Sequence, residues 1–185
     1  MHYKAKLNLG HKIYIGDAVI IVSPFERSRT MNIKTYNLIL DTETKHSGLQ
    51  VKESYEYAND YFTNAVSVYS LMTELFRMQE LADEYVYMLA FDNRMKLLGV
   101  FEVSHGIGNA SLLDARGVFI RALQIGASNI MLVHNHPSGI PLPSREDFNI
   151  CRRMVSVGKL LGVPVLDFIV IGSDDFVSFL EKELL

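Results

Sequence analysis

The sequence predicts an α/β protein, a β-sheet covered by helices, and three observations carry that expectation. Segments of strand period and helix period alternate through the second half of the chain. Ile130-Met131-Leu132-Val133 is a short continuous apolar run, as expected of a strand buried on both faces. From Asn64 onward, Val66, Tyr69, Leu71, Met72, Leu75, Phe76, Met78 and Leu81 recur at three-and-four spacing without glycine or proline. With 185 residues, 49% of them hydrophobic and 21% charged, the chain is long enough for one domain that buries about 70% of its unfolded surface.

The elements follow in order. Ile13 to Val22 is β-branched and apolar with Gly16-Asp17 as a turn, and Ser23-Pro24 with Glu26 to Thr30 reads as a loop. Tyr36 to Leu40 is expected as a strand, Thr42 to Gly48 as a connection and Ser54 to Phe62 as a short helix. After the long helix, Tyr85 to Phe91 and Leu97 to Ser104 form a hairpin about Asp92-Asn93-Arg94, and Gly106 and Gly108 open a loop. Asp114 caps a helix that packs through Val118, Phe119, Ala122, Leu123 and Ile125 and stops at Gly126. A helix from Ser144 to about Leu161, a strand from Val163 to Ile171 and a last strand from Phe176 to Leu180 complete the chain. Residues 1–32 stand apart as an N-terminal extension to a domain spanning 33–185.

Composition narrows the function classes. A single cysteine, Cys151, excludes an internal disulfide and a four-thiolate metal site and fits a reducing compartment. Twenty-one acids against eighteen bases leave a net charge of −3, so no large basic surface for nucleic acid is expected. Six basic against two acidic side chains between residues 115 and 160 are a weak pointer to an acidic partner such as DNA. No apolar run approaches the roughly 20 residues of a membrane helix, and no signal-peptide block is recognisable, so the expected location is cytoplasmic.

The chemistry is concentrated between His134 and Asp147. In an extended segment His134 and His136 point to one side and Asn135 to the other. At 100° per residue, Asp147 falls on the stripe of Ile150, Cys151, Met154, Gly158 and Leu161, which makes it an inward carboxylate in the first helical turn. A plain reading exists: Ser144-Arg145-Glu146-Asp147 resembles a helix capping box, which needs no ligand. A buried carboxylate, however, is expensive without a cation, and three of the five prolines stiffen the link between the histidines and the helix. Two histidines and an aspartate suit zinc with a fourth position open, the arrangement of a catalytic site. There a water's pKa falls from about 15.7 towards roughly 7, and the Ser144 hydroxyl stands near enough to steady an oxyanion.

His134-x-His136, seven residues, Ser144, two residues, Asp147 reproduces the JAMM metal motif of the JAB/MPN metalloprotease superfamily. Leu132 to Gly139, Pro143 to Asp147, Gly158 to Gly162, Val165-Leu166-Asp167 and Ile171-Gly172 followed by Phe176-Val177-Ser178 resemble RadC-type proteins in particular, over about residues 67–185. The resemblance implies an MPN fold, a mixed curved β-sheet flanked by helices in a cytidine-deaminase-like three-layer arrangement, with Zn2+ on His134, His136 and Asp147. It implies a hydrolase for a peptide, isopeptide or other amide-like bond, with an upstream strand glutamate handling the proton. Glu102, four residues before Gly106, is the choice for that role over Glu43 and Glu53, although a solvated strand-edge glutamate is its plain alternative. The same resemblance allows a DNA-repair-associated or anti-restriction accessory protein whose pocket binds without cleaving. The chain departs from the RadC pattern at Asp114-Ala115-Arg116-Gly117, Gly106-Ile107 and Phe168.

Overall fold

The computed structural model describes residues 12–15, 18–21, 30–58, 62–106 and 113–185. Strands β1 (Lys12–Ile15) and β2 (Ala18–Ile21) pair antiparallel as a separate ribbon. Among the described residues every other strand joins one seven-stranded sheet: β3 (Met31–Leu40), β4 (Ser47–Tyr57), β5 (Glu84–Phe91), β6 (Leu97–Gly106), β7 (Asn129–Asn135), β8 (Val165–Ile171) and β9 (Phe176–Ser178), in the order β4-β3-β6-β5-β7-β8-β9. Pairing is parallel for β3 with β6 and for β7 with β8, and antiparallel elsewhere.

Helices cover both faces. Helix α1 (Ala65–Glu74) packs Ala65, Val68, Leu71 and Met72 against Leu89, Phe91, Met131 and Val133. On the opposite face, α2 (Ala115–Gln124) and α3 (Arg145–Leu161) bring Val118, Phe119, Ala122, Ile150, Cys151 and Met154 against Val86, Met88, Ala90, Ile130 and Leu132. The run at 130–133 thus feeds alternate side chains into two cores, as its continuous apolar character predicts. The result is a three-layer sandwich.

Several boundaries follow their local chemistry. The Asp114 carboxylate accepts from the backbone N–H of Arg116 and Gly117 to start α2, and Gly126 lies past its end with φ +72. The expected long first helix breaks early: α1 stops at Glu74, Arg77 adopts φ 48, and Met78–Glu80 forms a 3-10 turn that still buries Met78. Val66, Leu123 and Leu161, assigned to packed stripes by period, are 56%, 52% and 41% exposed because each sits at the edge of its stripe near a helix end.

The largest correction concerns Ser54 to Phe62. Among its described residues no helix forms, since residues 47–57 are one strand registered against β3 from Ser47 opposite Leu40 to Tyr57 opposite Met31. Tertiary pairing overrides the weak local preference, and Tyr55 meets Phe76 edge-on while Tyr57 stacks on Phe62. The connection shrinks to a turn in which Asp41 Oδ1 accepts from Glu43 N, Thr44 N and Thr44 Oγ1. The last strand ends at Ser178, after which Phe179 still enters the core. The turn expected at Gly16-Asp17 and the loop from Ser23 to Arg29 lie outside the described residues.

Candidate metal centre

His134 occupies the sixth position of β7, opposite Val86 of β5 and Val170 of β8, with 1% of its surface exposed. Asn135 follows with its side chain on the other side, as strand alternation requires. There its Oδ1 accepts from Tyr85 N at 2.7 Å and its Nδ2 donates to the Asp83 carbonyl at 3.0 Å. One residue on, His136 N donates to the Ile171 carbonyl at 2.8 Å, which ties the strand end to β8 before the chain turns away.

The turn is built on two close approaches. Gly139 has φ +79, and a Cβ there would meet Ser173 Oγ at 2.4 Å. A Cβ on Gly172 would lie 2.4 Å from the Gly139 carbonyl oxygen and 2.7 Å from Pro141 Cδ. Gly172 therefore lets the loop from His136 to Pro143 lie against the end of β8, and Pro141 and Pro143 limit its alternatives. Gly172→Val should push this loop outward and weaken metal binding at least tenfold while leaving the sheet intact. Metal titration together with far-UV circular dichroism checks this, and unchanged affinity would contradict the role given to the glycine.

Asp147 arrives from α3. Ser144 caps that helix, its Oγ accepting from Asp147 N at 3.2 Å while Asp147 Oδ2 accepts from Ser144 N at 2.7 Å. The capping-box reading and the inward-carboxylate reading are both satisfied, because the two oxygens divide the work. Asp147 is wholly buried, and its Oδ1 has no hydrogen-bond partner. That oxygen stands 3.5 Å from His134 Nε2, and Oδ2 stands 3.4 Å from His136 Nε2. His134 Nδ1 faces the Tyr85 carbonyl at 3.3 Å and His136 Nδ1 faces the Ile140 carbonyl at 2.9 Å. A carbonyl only accepts, so the protons belong on Nδ1 and both Nε2 lone pairs turn toward the carboxylate.

Such a group could hold a metal ion: the three ligand atoms lie within 4.8 Å of one another. Atoms bound at about 2.0–2.1 Å in tetrahedral geometry sit roughly 3.3–3.4 Å apart, close to the two histidine–carboxylate separations, which run to different oxygens of Asp147. The orphaned Oδ1 is the decisive fit, since an unpartnered buried carboxylate oxygen is costly and a cation removes that cost.

The electrostatics agree with a site for a cation. Burial lowers His134 to about 4, against the opposing pull of Asp147. The hydrogen-bonded Asp147 raises His136 above its usual range despite partial burial. Burial pushes the Asp147 carboxyl up, but His136 and both groups of Ser144 outweigh it and bring the carboxyl down to about 2. In metal-free protein the His134 contribution to stability should fall as pH drops from about 6.5 to about 4, because the unfolded imidazole takes a proton that the folded one refuses. The His136 contribution has the opposite sign: it is present at low pH and lost as pH rises through the raised value. Proton NMR of the two rings after chelation checks this, and a His134 titrating near 6.5 would overturn the assignment.

Glu102 is not brought to this group. A bulge between Val86 and Tyr87 sets Val86 opposite Ser104 but Tyr87 opposite Glu102. Glu102 therefore shares a face with Tyr87 and the α1 layer, whereas His134 shares one with Val86 and the α3 layer. Its neighbour is His105, whose Nδ1 lies 4.0 Å away and whose ring stacks on Tyr85 at 4.1 Å. The carboxylate whose charge reaches the group is Glu84, which is not among the sequence candidates. It lies two residues before Val86 on the His134 face, and Asn135 clamps the backbone on either side of it. Burial raises the Glu84 pKa, His136 opposes the rise and Asp147 adds to it, so its charge is felt at the group. Counting alternate residues back from buried Val86, Met88 and Ala90 reaches Glu84, which is its signal in the sequence.

A sequence model described as the RadC-like JAB domain matches residues 62–184. The chain belongs to that family. Curated relatives agree with it: the UPF0758 protein of Geotalea uraniireducens is 37% identical over 145 residues, covering 73% of this chain and 63% of that protein. The UPF0758 protein of Alkaliphilus metalliredigens is 42% identical over 108 residues, 58% of this chain and 47% of that one. The chain thus spans about half to under two thirds of the length of the relatives it matches. All three candidate ligands lie inside the JAB match, whereas β3 and β4 precede it and nevertheless extend its sheet. Among the described residues no helix is long and apolar enough to cross a membrane. Cys151 is buried, which raises its thiol to about 11 and leaves it a core residue.

Proposed function

We propose that this JAB domain is a zinc-dependent hydrolase of peptide, isopeptide or other amide-like bonds. The observation that carries the reading is the orphaned Oδ1 of a fully buried Asp147 facing two imidazoles whose Nδ1 protons are already committed. His134 Nε2, His136 Nε2 and Asp147 would hold the ion; their nitrogen and oxygen donors suit zinc. When bound, zinc supplies Lewis acidity for a carbonyl oxygen and lowers the pKa of water.

The protein's own groups provide the rest. Glu84, raised above the ordinary carboxylate range by burial, accepts the proton of the attacking water and returns it to the leaving nitrogen. A base whose pKa lies nearer neutrality returns a proton more readily than an ordinary exposed glutamate. Ser144 uses its oxygen lone pair on Asp147 N, which leaves the hydroxyl proton free to stabilise the oxygen on which charge develops. Ile140 and Leu142, 63% and 73% exposed on the stiff loop beside His136, offer the substrate an apolar surface.

The test is digestion of a peptide library by protein purified without chelator, then stripped, then reloaded with zinc. Cleavage should appear, vanish on stripping and return on reloading. Zinc bound at one equivalent without any hydrolysis would defeat the reading and favour an accessory protein that only binds at this pocket.

A further inference from the structure

A cavity of about 460 Å3 opens where β3 parts from β6. Among the described residues the two strands pair only at Thr35 opposite Val100, and none of the three candidate metal ligands lines the space beyond. Register sorts its wall by face. Thr35 stands opposite Glu53 on β4 and Val100 on β6, and Val100 packs in the α1 layer. Strand alternation then sets Tyr55, opposite Ile33, and Glu102, opposite Tyr87, on that same face. Phe76, just past the end of α1, completes this side of the wall. Two cationic side chains border the cavity from elsewhere. Arg121 belongs to α2 across the sheet and donates Nη1 to the Gly117 carbonyl at 2.8 Å. Lys52, the extra residue of β4 between Val51 and Glu53, is exposed.

On the α1 face the groups are linked in sequence around the cavity. Thr35 and Glu53 are direct cross-strand neighbours, whose Cβ atoms stand about 4.5–5.5 Å apart. Glu53 Oε2 accepts from the Tyr55 hydroxyl. The Tyr55 ring meets Phe76 edge-on at 5.8 Å, and Phe76 lies 5.3 Å from Tyr87. Burial first, then Glu102, with smaller contributions from Tyr85 and Glu53, push the Tyr87 phenol up to about 12, so both carboxylates are within electrostatic reach of its oxygen. Glu102 Oε1 lies 4.0 Å from His105 Nδ1, beyond hydrogen-bond range. One member of the group is unsatisfied. Thr35 is 8% exposed, and its Oγ1 has no hydrogen-bond partner among the described residues. Buried polar atoms of this kind are rare in native proteins and costly unless a partner reaches them.

We propose that this face of the cavity binds a guanidinium group. The planar fork carries five donors in fixed directions for the Glu102 carboxylate, Glu53 Oε1 and the Thr35 oxygen, and its flat faces suit the rings of Phe76 and Tyr87. An anion would be set against two carboxylates. A hard divalent ion has no use for the aromatic rings and takes six or more oxygen ligands. An ammonium offers three donors from a single point and does not stack. The volume lies within the range of small-molecule sites. The recognition chemistry is the same for a free guanidine and for an arginine side chain of a polypeptide. The inference is independent of the hydrolase reading, because it shares no residue with it.

Isothermal titration calorimetry on the full chain at low ionic strength tests it. n-Butylguanidine represents a free ligand, and N-acetyl-L-arginine amide a side chain within a polypeptide. Butylurea keeps the shape without the charge, and n-butylamine keeps the charge without the fork. Expected is saturable one-site binding of at least one guanidine, at least about tenfold tighter than butylurea or butylamine. The tighter of the two guanidines identifies the source. Glu102→Gln should weaken binding at least about tenfold, and Phe76→Leu, which stays apolar but loses the ring, about threefold. Thr35→Val, nearly the same shape, should weaken binding without lowering the melting temperature, since it removes an orphaned hydroxyl. The proposal is overturned by no binding of either guanidine at millimolar concentration or by equal binding of butylurea or butylamine. Unchanged affinity in Glu102→Gln, Phe76→Leu or Thr35→Val overturns it as well.

Discussion

Glu84→Gln should abolish hydrolysis while leaving the metal in place. The carboxamide keeps the shape of the side chain and its position between the clamped backbones of Asp83 and Tyr85, but it cannot take a proton. Loss of a positioned general base costs about 10²–10⁴-fold in rate. Metal content should stay near that of the unaltered protein, because Glu84 is outside the group of close ligand atoms. The control is Glu102→Gln, which acts on the opposite face and should cleave normally. The pH profile adds a check of sign: the acid limb should lie above the ordinary glutamate range, since burial raises the Glu84 pKa. An active Glu84→Gln paired with an inactive Glu102→Gln would reverse the assignment.

Asp147→Asn should remove the metal with little damage to the helix. The amide oxygen can still accept from Ser144 N, so the reciprocal cap that begins α3 survives. What disappears is the negative charge facing His134 and His136. A metal that binds only the folded chain stabilises it by RT ln(1 + [L]/Kd), about 2.7 kcal/mol at a hundredfold excess over Kd and about 4.1 at a thousandfold. The unaltered protein should therefore melt several degrees higher with zinc than after chelation, and Asp147→Asn should show one melting temperature in both conditions. Elemental analysis gives the second readout. A variant that retains one equivalent of zinc and its stabilisation would remove Asp147 from the site.

Much of the fold and of the metal group is legible in the sequence. The apolar run at 130–133, the caps at Asp114 and Ser144, and the grouping of His134, His136 and Asp147 depend on short-range rules: alternation in strands, 100° per residue in helices and side-chain acceptors at helix starts. The failures share one cause, dependence on partners distant in sequence. Residues 54–57 look ambiguous until β3, some twenty residues earlier, supplies their register. Glu102 follows from the family resemblance and its place before Gly106, and the single extra residue opposite Val86 and Tyr87 sets it on the face away from His134. Glu84 is hard to single out in the sequence, because an acidic pair at a strand start resembles a solvated turn. Alternation along β5 carries the signal, and the β5–β7 register with the long-range clamp from Asn135 fixes which of the two acids shares the His134 face.

The reciprocal cap between Ser144 and Asp147 has a bearing on how the domain handles an ion over time. Its bonds run between side chain and backbone within a single helical turn, so they persist whether or not anything is coordinated. The aspartate is consequently kept in its working rotamer through each departure and return of the metal. Reloading then requires no refolding of the loop or the helix, and exchange should be limited by desolvation of the ion and its entry past the rim.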